Sequence, residues 1–258
     1  MTDRSRGSRN ARLITLGVVA LLLAVAMVGI RLLPQPAPGP LTDSPPVLAG
    51  QQLWGSCAGG FYARRGDMIV VTSSGHCATE GTVAYAGDGT TVRGVFGPAA
   101  LDPNCPVEGH RCFASDMNYL AVAKDQIPWG RLNTVDLGTG GIRVIPAVTA
   151  PLACDDIEAG EDAEINGREI HRAGTVEEKG EYRRDNDGDY FPCMIAARIQ
   201  VEVGDSGAGV LVGGIPGGVA SRSFDGWLGF TPLAEGLGQL GLDLCTTPNC
   251  DLVPPDTR

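Results

Sequence analysis

Hydrophobic residues follow three patterns that divide the chain into segments. An uncharged apolar run covers residues 13–30, and a proline-rich stretch without apolar periodicity covers 34–48. Further along, short apolar or alternating runs are separated by glycine-rich turns, which is typical of all-β structure. Only Pro232–Leu242 has helical character, with a proline suited to the first turn. The predicted strands are Met68–Thr72, Gly81–Tyr85, Thr91–Phe96, Asn118–Ala123, Ile142–Val148, Ala196–Val203 and Gly207–Val212.

The apolar run near the amino end has the length and the flanks of a membrane-spanning helix. As an α-helix it would extend about 27 Å, close to the hydrocarbon thickness of a bilayer. Residues 1–12 carry four arginines against one aspartate, a bias that retains them in the cytoplasm. We therefore predict a cytoplasmic segment at 1–12 and a transmembrane signal anchor at 13–33, with the remainder outside the cell membrane.

A cleaved signal peptide is the alternative interpretation of this segment. Ala24-Val25-Ala26 supplies small residues for cleavage, which would make the remainder a secreted protein. The apolar residues continue to Leu33, so cleavage would leave an apolar stub, and this favours the anchor. Both interpretations export the rest of the chain.

Composition divides the exported part into a linker, a domain and a tail. Residues 34–48 indicate an extended linker, 49–245 the folded domain, and 246–258 a short tail. The part after residue 34 has a formal charge of −14, because five of the 20 basic residues and one of the 30 acidic residues precede it. This balance lacks the basic footprint of a nucleic-acid-binding protein, so no nucleic-acid partner is predicted.

All eight cysteines lie in the exported part, and an even number outside the cytosol indicates disulfides. The alternative is a zinc site, but the sequence has no Cys-x-x-Cys pair and only three histidines, so no metal site is predicted. The sequence does not fix the pairing. The cysteines are Cys57, Cys77, Cys105, Cys112, Cys154, Cys193, Cys245 and Cys250.

Three short motifs carry residue types that suit nucleophilic catalysis. Gly204–Gly207 (GDSG) places a serine between glycines, which let the backbone turn tightly and bring amides close to a ligand. Thr72–Cys77 (TSSGHC) follows a predicted strand and contains His76, an imidazole suited to proton transfer. Asp116 precedes another strand and could accept a hydrogen bond from that imidazole. Each motif alone also fits an ordinary turn, whereas the three together indicate a Ser-His-Asp triad.

The order His, Asp, Ser and the flanking residues resemble the chymotrypsin-like serine peptidases over about Gln51 to Leu242. Cys57–Phe61 (CAGGF) followed by TSSGHC is similar to the opening of bacterial members such as streptogrisins and α-lytic protease. Asn166-Gly167-Arg168 and the terminal helix are similar to later parts of those proteins. The resemblance implies two six-stranded antiparallel β-barrels with a short C-terminal helix, here preceded by the transmembrane helix. It also implies a serine endopeptidase that acts on protein or peptide substrates without a cofactor.

The resemblance assigns roles to individual residues. His76 would be the general base, Asp116 its orienting acid and Ser206 the nucleophile, with the N–H groups of Gly204 and Ser206 as the oxyanion hole. Arg168 would pair with Asp205 beneath the nucleophile turn. A disulfide would join Cys57 to Cys77 beside the histidine. The remaining candidate pairs are Cys105 with Cys112, Cys154 with Cys193, and Cys245 with Cys250.

The substrate pocket departs from the family pattern. The chain has GDSGA rather than GDSGG, so Ala208 adds one methyl group after the nucleophile turn. Gln200 stands where trypsin-like members carry aspartate, and Ser221 is similar to the serine at the pocket edge. We name Gln200 and Ser221 as candidate substrate-binding residues, without assigning a preferred substrate side chain or an oligomeric state.

Two alternatives remain from the sequence. A peptidase fold that binds a partner without cutting it would be a non-enzymatic surface module. Asp185–Asp189 (DNDGD) is similar to a calcium loop, but it lacks the later glutamate and has its glycine at the wrong position for an EF-hand. No metal is therefore assigned to it.

Overall fold

The fold is seen in a computed structural model, which describes residues 47–55, 57–136, 141–145, 149–167, 170–184, 188–246 and 250. All of these belong to one compact unit, Ser44–Arg258. The predicted cytoplasmic segment at 1–12, the anchor at 13–33 and the linker as far as residue 46 lie outside the described residues. Within the described ranges, no helix is long and apolar enough to cross a membrane.

Strands dominate the regular structure of the described residues, and the prediction of a mostly β domain with one short helix near its end is confirmed. The helix is α1 (Leu233–Leu240), and 3-10 turns occur at Lys124–Gln126 and Cys154–Asp156. The strands before residue 130 are β1 (Gln52–Trp54), β2 (Cys57–Ala58), β3 (Tyr62–Arg65), β4 (Met68–Ser73), β5 (Val83–Tyr85), β6 (Val92–Phe96), β7 (Leu101–Asp102), β8 (Arg111–Phe113) and β9 (Asn118–Val122). The later strands are β10 (Thr134–Asp136), β11 (Ile142–Val144), β12 (Asp162–Gly167), β13 (Ile170–Arg184), β14 (Asp189–Gln200), β15 (Gly209–Val212), β16 (Ile215–Phe224), β17 (Trp227–Pro232) and β18 (Asp243–Leu244).

The first large sheet has six strands in the order β18-β3-β4-β9-β6-β5, all antiparallel. Its strand β4 is rich in β-branched residues, and all but its first residue are buried. Gly66 and Asp67 form a two-residue turn between β3 and β4, where Gly66 has φ +59°, a conformation that glycine adopts without steric cost. This hairpin fixes the end of β4, and His76 follows it closely.

The second large sheet has eight strands in the order β13-β12-β15-β16-β17-β14-β8-β7. Because β13 also pairs with β14, six of these strands form a closed ring. Strand β8 pairs in parallel with the start of β14, so the segment that leads to Asp116 lies against this sheet. The two smaller sheets pair β1 with β2 and β10 with β11. The division into two six-stranded barrels stays a prediction.

A shared core joins the two large sheets and the helix. Met117, next to Asp116, packs in one buried cluster with Leu211 and Val219 of the second sheet and with Leu237 of α1. A Cβ atom at Gly236 would lie 2.6 Å from the Met117 methyl group, so the helix approaches this point more closely than a larger residue would allow. The packing therefore fixes the backbone on which Asp116 lies.

The predicted strands agree with the structure except near the nucleophile motif. The strand predicted at Ala196–Val203 is the end of β14, which stops at Gln200. The chain turns there because the Val201 N–H bonds to the Gly226 carbonyl and the Asp205 N–H bonds to the Glu202 carbonyl. Part of the strand predicted at Ile142–Val148 lies outside the described residues, and β11 covers its first three positions.

The four disulfides join the candidate pairs from the sequence. Cys57 bonds to Cys77, Cys105 to Cys112, Cys154 to Cys193, and Cys245 to Cys250. The first lies immediately beside His76, and the second closes the loop that precedes Asp116. Both therefore restrict the backbone near the candidate triad.

Candidate active site

His76 lies in a turn that the preceding serines hold in place. The Ser73 hydroxyl donates to the Ala58 carbonyl at 2.9 Å, and the Ser74 hydroxyl donates to the Ala220 carbonyl of the second sheet. The Gly75 N–H donates to the Asp116 carbonyl at 3.2 Å. Residues 73–75 therefore attach the turn to β2, to β16 and to the Asp116 segment, and the histidine extends from a fixed backbone.

Asp116 is 4% exposed and holds the imidazole of His76. Its Oδ2 atom lies 2.8 Å from His76 Nδ1, and its Oδ1 accepts the His76 backbone N–H at 3.2 Å. The buried Ser221 hydroxyl also donates to Oδ2. The backbone N–H of Asp116 donates to Thr231 Oγ1 at 3.1 Å. The aspartate is thus fixed at both its side chain and its main chain.

The environment of Asp116 favours its charged form. Burial would raise the pKa of this carboxyl, but the hydrogen bond and charge of His76 oppose that effect. The Ser221 hydroxyl and the positive charge of Arg222 act in the same direction as His76. The net result is a pKa below the ordinary value of an aspartate.

Ser206 lies in a tight turn that depends on two glycines. Gly204 has φ +109° and Gly207 has φ +90°, backbone conformations that favour glycine. A Cβ atom at Gly207 would lie 2.2 Å from the Ala58 carbonyl oxygen, so no side chain fits there. The Ser206 carbonyl accepts the Ala58 N–H at 2.7 Å, and the Gly207 N–H donates to the Ala220 carbonyl at 2.8 Å.

An open cleft of about 610 Å³ brings the motifs together, since both His76 and Ser206 line it. Among the described residues, no hydrogen bond joins the Ser206 hydroxyl to His76. In the same part of the chain, the backbone N–H groups of Gly204 and Ser206 donate to no protein acceptor. Two uncommitted donors beside a serine hydroxyl are the arrangement that an acyl-transfer site requires.

Arg172 neutralises the carboxylate beneath the serine turn. Asp205 is 2% exposed, and its Oδ1 atom accepts a hydrogen bond from Arg172 at 2.8 Å. Its other oxygen, Oδ2, accepts the Glu202 backbone N–H at 2.7 Å. The same guanidinium donates to the Gln200 carbonyl at 2.8 Å, which ties the strand end to the turn. The residue that the sequence indicated for this partner, Arg168, lies outside the described residues.

Ala208 fits the core because of a glycine on the adjacent strand. Its side chain is fully buried, and a Cβ atom at Gly167 would lie only 2.5 Å from the Ala208 Cβ. The Ala208 methyl group therefore occupies space that Gly167 leaves free.

The two candidate substrate-binding residues have different surroundings. Ser221 is 3% exposed and directs its hydroxyl to Asp116, as described above. Gln200 ends β14 with an exposed side chain, and its carbonyl binds Arg172. Neither is among the described residues that line the cleft, whereas Ala220, Arg222 and Leu228 are. A direct role for Ser221 or Gln200 in substrate binding stays a prediction.

Most of the calcium-like loop lies outside the described residues. Its last residue, Asp189, is described and pairs with Arg111 at 2.7 Å. Within the described ranges, no group of three or more histidine, cysteine or acidic residues could hold a metal ion.

Comparison with solved structures defines the fold. Protease A of Thermobifida fusca is 22% identical, with a TM-score of 0.59, and the match covers 78% of this chain and 98% of that one. A glutamic-acid-specific serine protease that uses a histidine triad in substrate binding is 21% identical, with a TM-score of 0.58 over 77% and 100% of the two chains. Cellulomonas bogoriensis chymotrypsin is 20% identical, with a TM-score of 0.55 over 78% and 99%.

The chain has the fold of the bacterial chymotrypsin-like serine proteases. No protein-family model and no curated protein matches the sequence. The likeness is therefore one of structure at low identity.

Thr231 and Arg172 are polar residues of the site that are not evident from the linear sequence, whereas the sequence indicated Ser221 as a pocket-edge residue. Thr231 and Ser221 contact the Asp116 segment from more than 100 positions along the chain, and Arg172 reaches Asp205 from a neighbouring strand. A threonine in an apolar strand gives no signal by itself. Thr231 and Arg172 become recognisable only when the fold places β17 beside Asp116 and β13 beside Asp205.

Replacing Asp116 with asparagine is expected to change how stability depends on pH. The pKa of Asp116 is lower in the folded than in the unfolded chain, so its carboxylate stabilises the fold above the unfolded value of about 3.9. That contribution is lost as the pH falls through the folded value. Melting temperatures from pH 7 to pH 3 should therefore show a wild-type advantage over Asp116→Asn that shrinks in acid. The exposed Asp67→Asn is the control, and a constant difference between wild type and Asp116→Asn would contradict the expectation.

Removing Arg172 is expected to destabilise the fold because it leaves Asp205 buried without its counter-charge. We expect Arg172→Leu to cost about 3–5 kcal/mol in free energy of unfolding, measured with urea at neutral pH. Arg198→Leu is the matched control, because Arg198 pairs with Glu177 at the surface and such pairs contribute less than about 1 kcal/mol. Adding Asp205→Asn to Arg172→Leu should recover part of the loss. Equal effects of Arg172→Leu and Arg198→Leu would show that the buried pair is not what holds the turn.

Proposed function

We propose that the chain is a serine endopeptidase that cleaves peptide bonds through an acyl-enzyme intermediate. The observation that carries the proposal is the hydrogen bond between His76 and the buried Asp116, at the side of a cleft that Ser206 also lines. The proposed fold has two six-stranded barrels, with His76 and Asp116 in the first and Ser206 in the second. The solved structures with this fold include proteases and a serine protease, which supports the proposed reaction.

The proposed reaction uses each group in turn. As Ser206 Oγ attacks the carbonyl carbon of the scissile bond, His76 Nε2 takes the hydroxyl proton. Asp116, which accepts the Nδ1–H bond, holds the ring orientation and stabilises the imidazolium that forms. The negatively charged oxygen of the tetrahedral intermediate accepts hydrogen bonds from the backbone N–H groups of Gly204 and Ser206. His76 then gives the proton to the leaving amine, and the acyl group stays on Ser206. Water, activated by His76 in the same way, hydrolyses this ester and releases the acid product and free Ser206.

In this proposal, the hydrogen bond between the Ser206 hydroxyl and His76 forms when substrate binds. Catalytic hydrogen bonds are often long in unliganded sites and shorten when substrate occupies the cleft. Ser206 and His76 belong to separate turns, each fixed by hydrogen bonds to Ala58 or Ala220. In this proposal, substrate binding brings His76 Nε2 and the Ser206 hydroxyl into hydrogen-bond contact.

A fluorophosphonate probe tests the nucleophile directly. We expect labelling of the wild type at neutral pH, with peptide mapping placing the adduct on Ser206, because only an activated serine attacks the probe rapidly. Ser206→Ala should abolish labelling, and His76→Ala should slow peptide hydrolysis by about 10⁴-fold or more. A known serine protease serves as the positive control. If the wild type stays unlabelled while the control reacts, the chain is better explained as a non-enzymatic binding module.

We also propose that the domain is exported and tethered to the cell membrane by residues 13–33. The apolar run and the arginines before it support this location. The full chain should then stay in the membrane fraction after alkaline carbonate washing, and external protease should reach its domain in intact cells. A shortened product in the medium that begins after residue 26 would instead show the cleaved signal peptide. Recovery of the domain inside the cell would contradict both forms of the proposal.

A further inference from the structure

Arg222, the residue that follows Ser221, lies in the cleft next to the candidate triad. It is half-buried and lines the same cleft as Ser206 and His76. It is also close enough for its positive charge to lower the pKa of Asp116. The proposed reaction gives this guanidinium no role.

Aromatic rings hold the Arg222 side chain in one place. Its guanidinium carbon lies 4.1 Å from the centroid of the Tyr182 ring and 5.6 Å from that of Phe191. Gly229 on the adjacent strand leaves room for the stem, because a Cβ atom there would lie 2.9 Å from Arg222 Cγ. Stacking of this kind fixes the plane of a guanidinium while its edge donors stay free for other partners.

Within the described residues, no carboxylate contacts Arg222 directly, although its charge acts on Asp116 at longer range. Neither an ion pair nor a hydrogen bond to its guanidinium is present there, and its Nε atom is buried without a partner. Nearby arginines differ, since Arg111 and Arg172 contact aspartates at 2.7 and 2.8 Å and Arg198 contacts a glutamate at 3.0 Å. A fixed, partly desolvated guanidinium that no carboxylate contacts directly can form charged hydrogen bonds with a ligand carboxylate.

The other side chains described here in the cleft are less suited than Arg222 to bind a ligand carboxylate. Val201, Ala220 and Leu228 present apolar surface. Two carboxylates also line the cleft, but Glu202 is exposed to solvent and not within ion-pair distance of Arg222, and Asp205 is paired with Arg172. Water screens an exposed charge far more than a stacked and half-buried one. A carboxylate that enters the cleft therefore finds one ordered cation with free donors.

We propose that Arg222 binds an aspartate or glutamate side chain of the substrate close to the scissile bond and so gives the enzyme a preference for acidic peptides. This inference rests on the proposed peptidase function and adds a substrate class to it. Because the stacked guanidinium is already ordered, forming the charged hydrogen bonds costs little side-chain entropy. A charged hydrogen bond of this type changes kcat/KM by about tenfold to a hundredfold.

The test compares quenched fluorogenic peptides that differ only in one residue near the cleavage site. A library that places Glu, Gln or Lys at each position in turn is cleaved by the wild type and by Arg222→Gln, Arg222→Lys and Arg222→Glu. The wild type should prefer Glu over Gln at one position by about tenfold or more. Arg222→Gln should lose that ratio, Arg222→Lys should retain part of it, and Arg222→Glu should favour Lys instead. Arg198→Glu, a charge reversal on β14, which β17 separates from β16 in the sheet, should keep the wild-type ratio.

The ratio of Glu to Gln peptide cleavage, taken within each variant, reports recognition of the acidic side chain and is independent of an overall loss of activity. Fluorophosphonate labelling of Ser206 is measured in parallel, because a wild type without labelling would refute the peptidase function itself. If the wild type is labelled and cuts peptides but shows no acidic preference at any position, the role of Arg222 is refuted alone. The same holds if the preference persists in both Arg222→Gln and Arg222→Glu. Should the neutral variant fold poorly, Arg222→Lys and Arg222→Glu give the decisive comparison, since both retain a long charged side chain.

Discussion

The buried carboxylate of Asp116 is the point on which the candidate site depends. Its hydrogen-bond partners come from three places: the turn after β4 provides His76, β16 provides Ser221 and β17 provides Thr231 for its backbone N–H. One ionised group is thereby shared between the two large sheets. An unpaired charge at this depth would be costly, so the sheets can come together in only a few arrangements that satisfy it. The position of the imidazole follows from the same constraint that joins the sheets.

A second buried carboxylate organises the serine turn in a similar way. Asp205 is held by Arg172 and by the Glu202 N–H, and that arginine also binds the Gln200 carbonyl. The turn also needs Gly207, because the Ala58 carbonyl occupies the space where a side chain would lie. In the proposed reaction, Asp116 orients the base His76, and Asp205 shapes the loop that presents the nucleophile Ser206. Arg222, by contrast, has no internal partner in the described part of the chain, and this difference is why we assign it to the substrate.

Local motifs predicted more of this site than of its surroundings. His76, Asp116 and Ser206 lie in short motifs whose residue types suit one reaction, and the nearby cysteine pairs bond as the sequence suggested. The residue pattern did not indicate the long strand β13, because its charged residues hide the alternation on which strand prediction relies, and only the family resemblance suggested a strand at Ala173–Val176. The sequence indicated Arg168 as the partner of Asp205, and Arg172 was not identified, because its approach to Asp205 depends on how β13 is placed in the sheet. The bend at Gln200 depends on the distant Gly226 carbonyl, so no local pattern could reveal it.

The outermost strand of the first sheet has a consequence for how the chain is made. Strand β18 pairs with β3, although about 180 residues separate them, and Cys245 extends this pairing through its N–H bond to the Tyr62 carbonyl. A ribosome delivers β3 long before β18, and all the strands of the second sheet emerge in between. The edge of β3 that pairs with β18 therefore stays unpaired until nearly the whole domain has been synthesised. Contacts so distant in sequence slow folding. The domain is thus expected to acquire its final form as a single late event rather than sheet by sheet during synthesis.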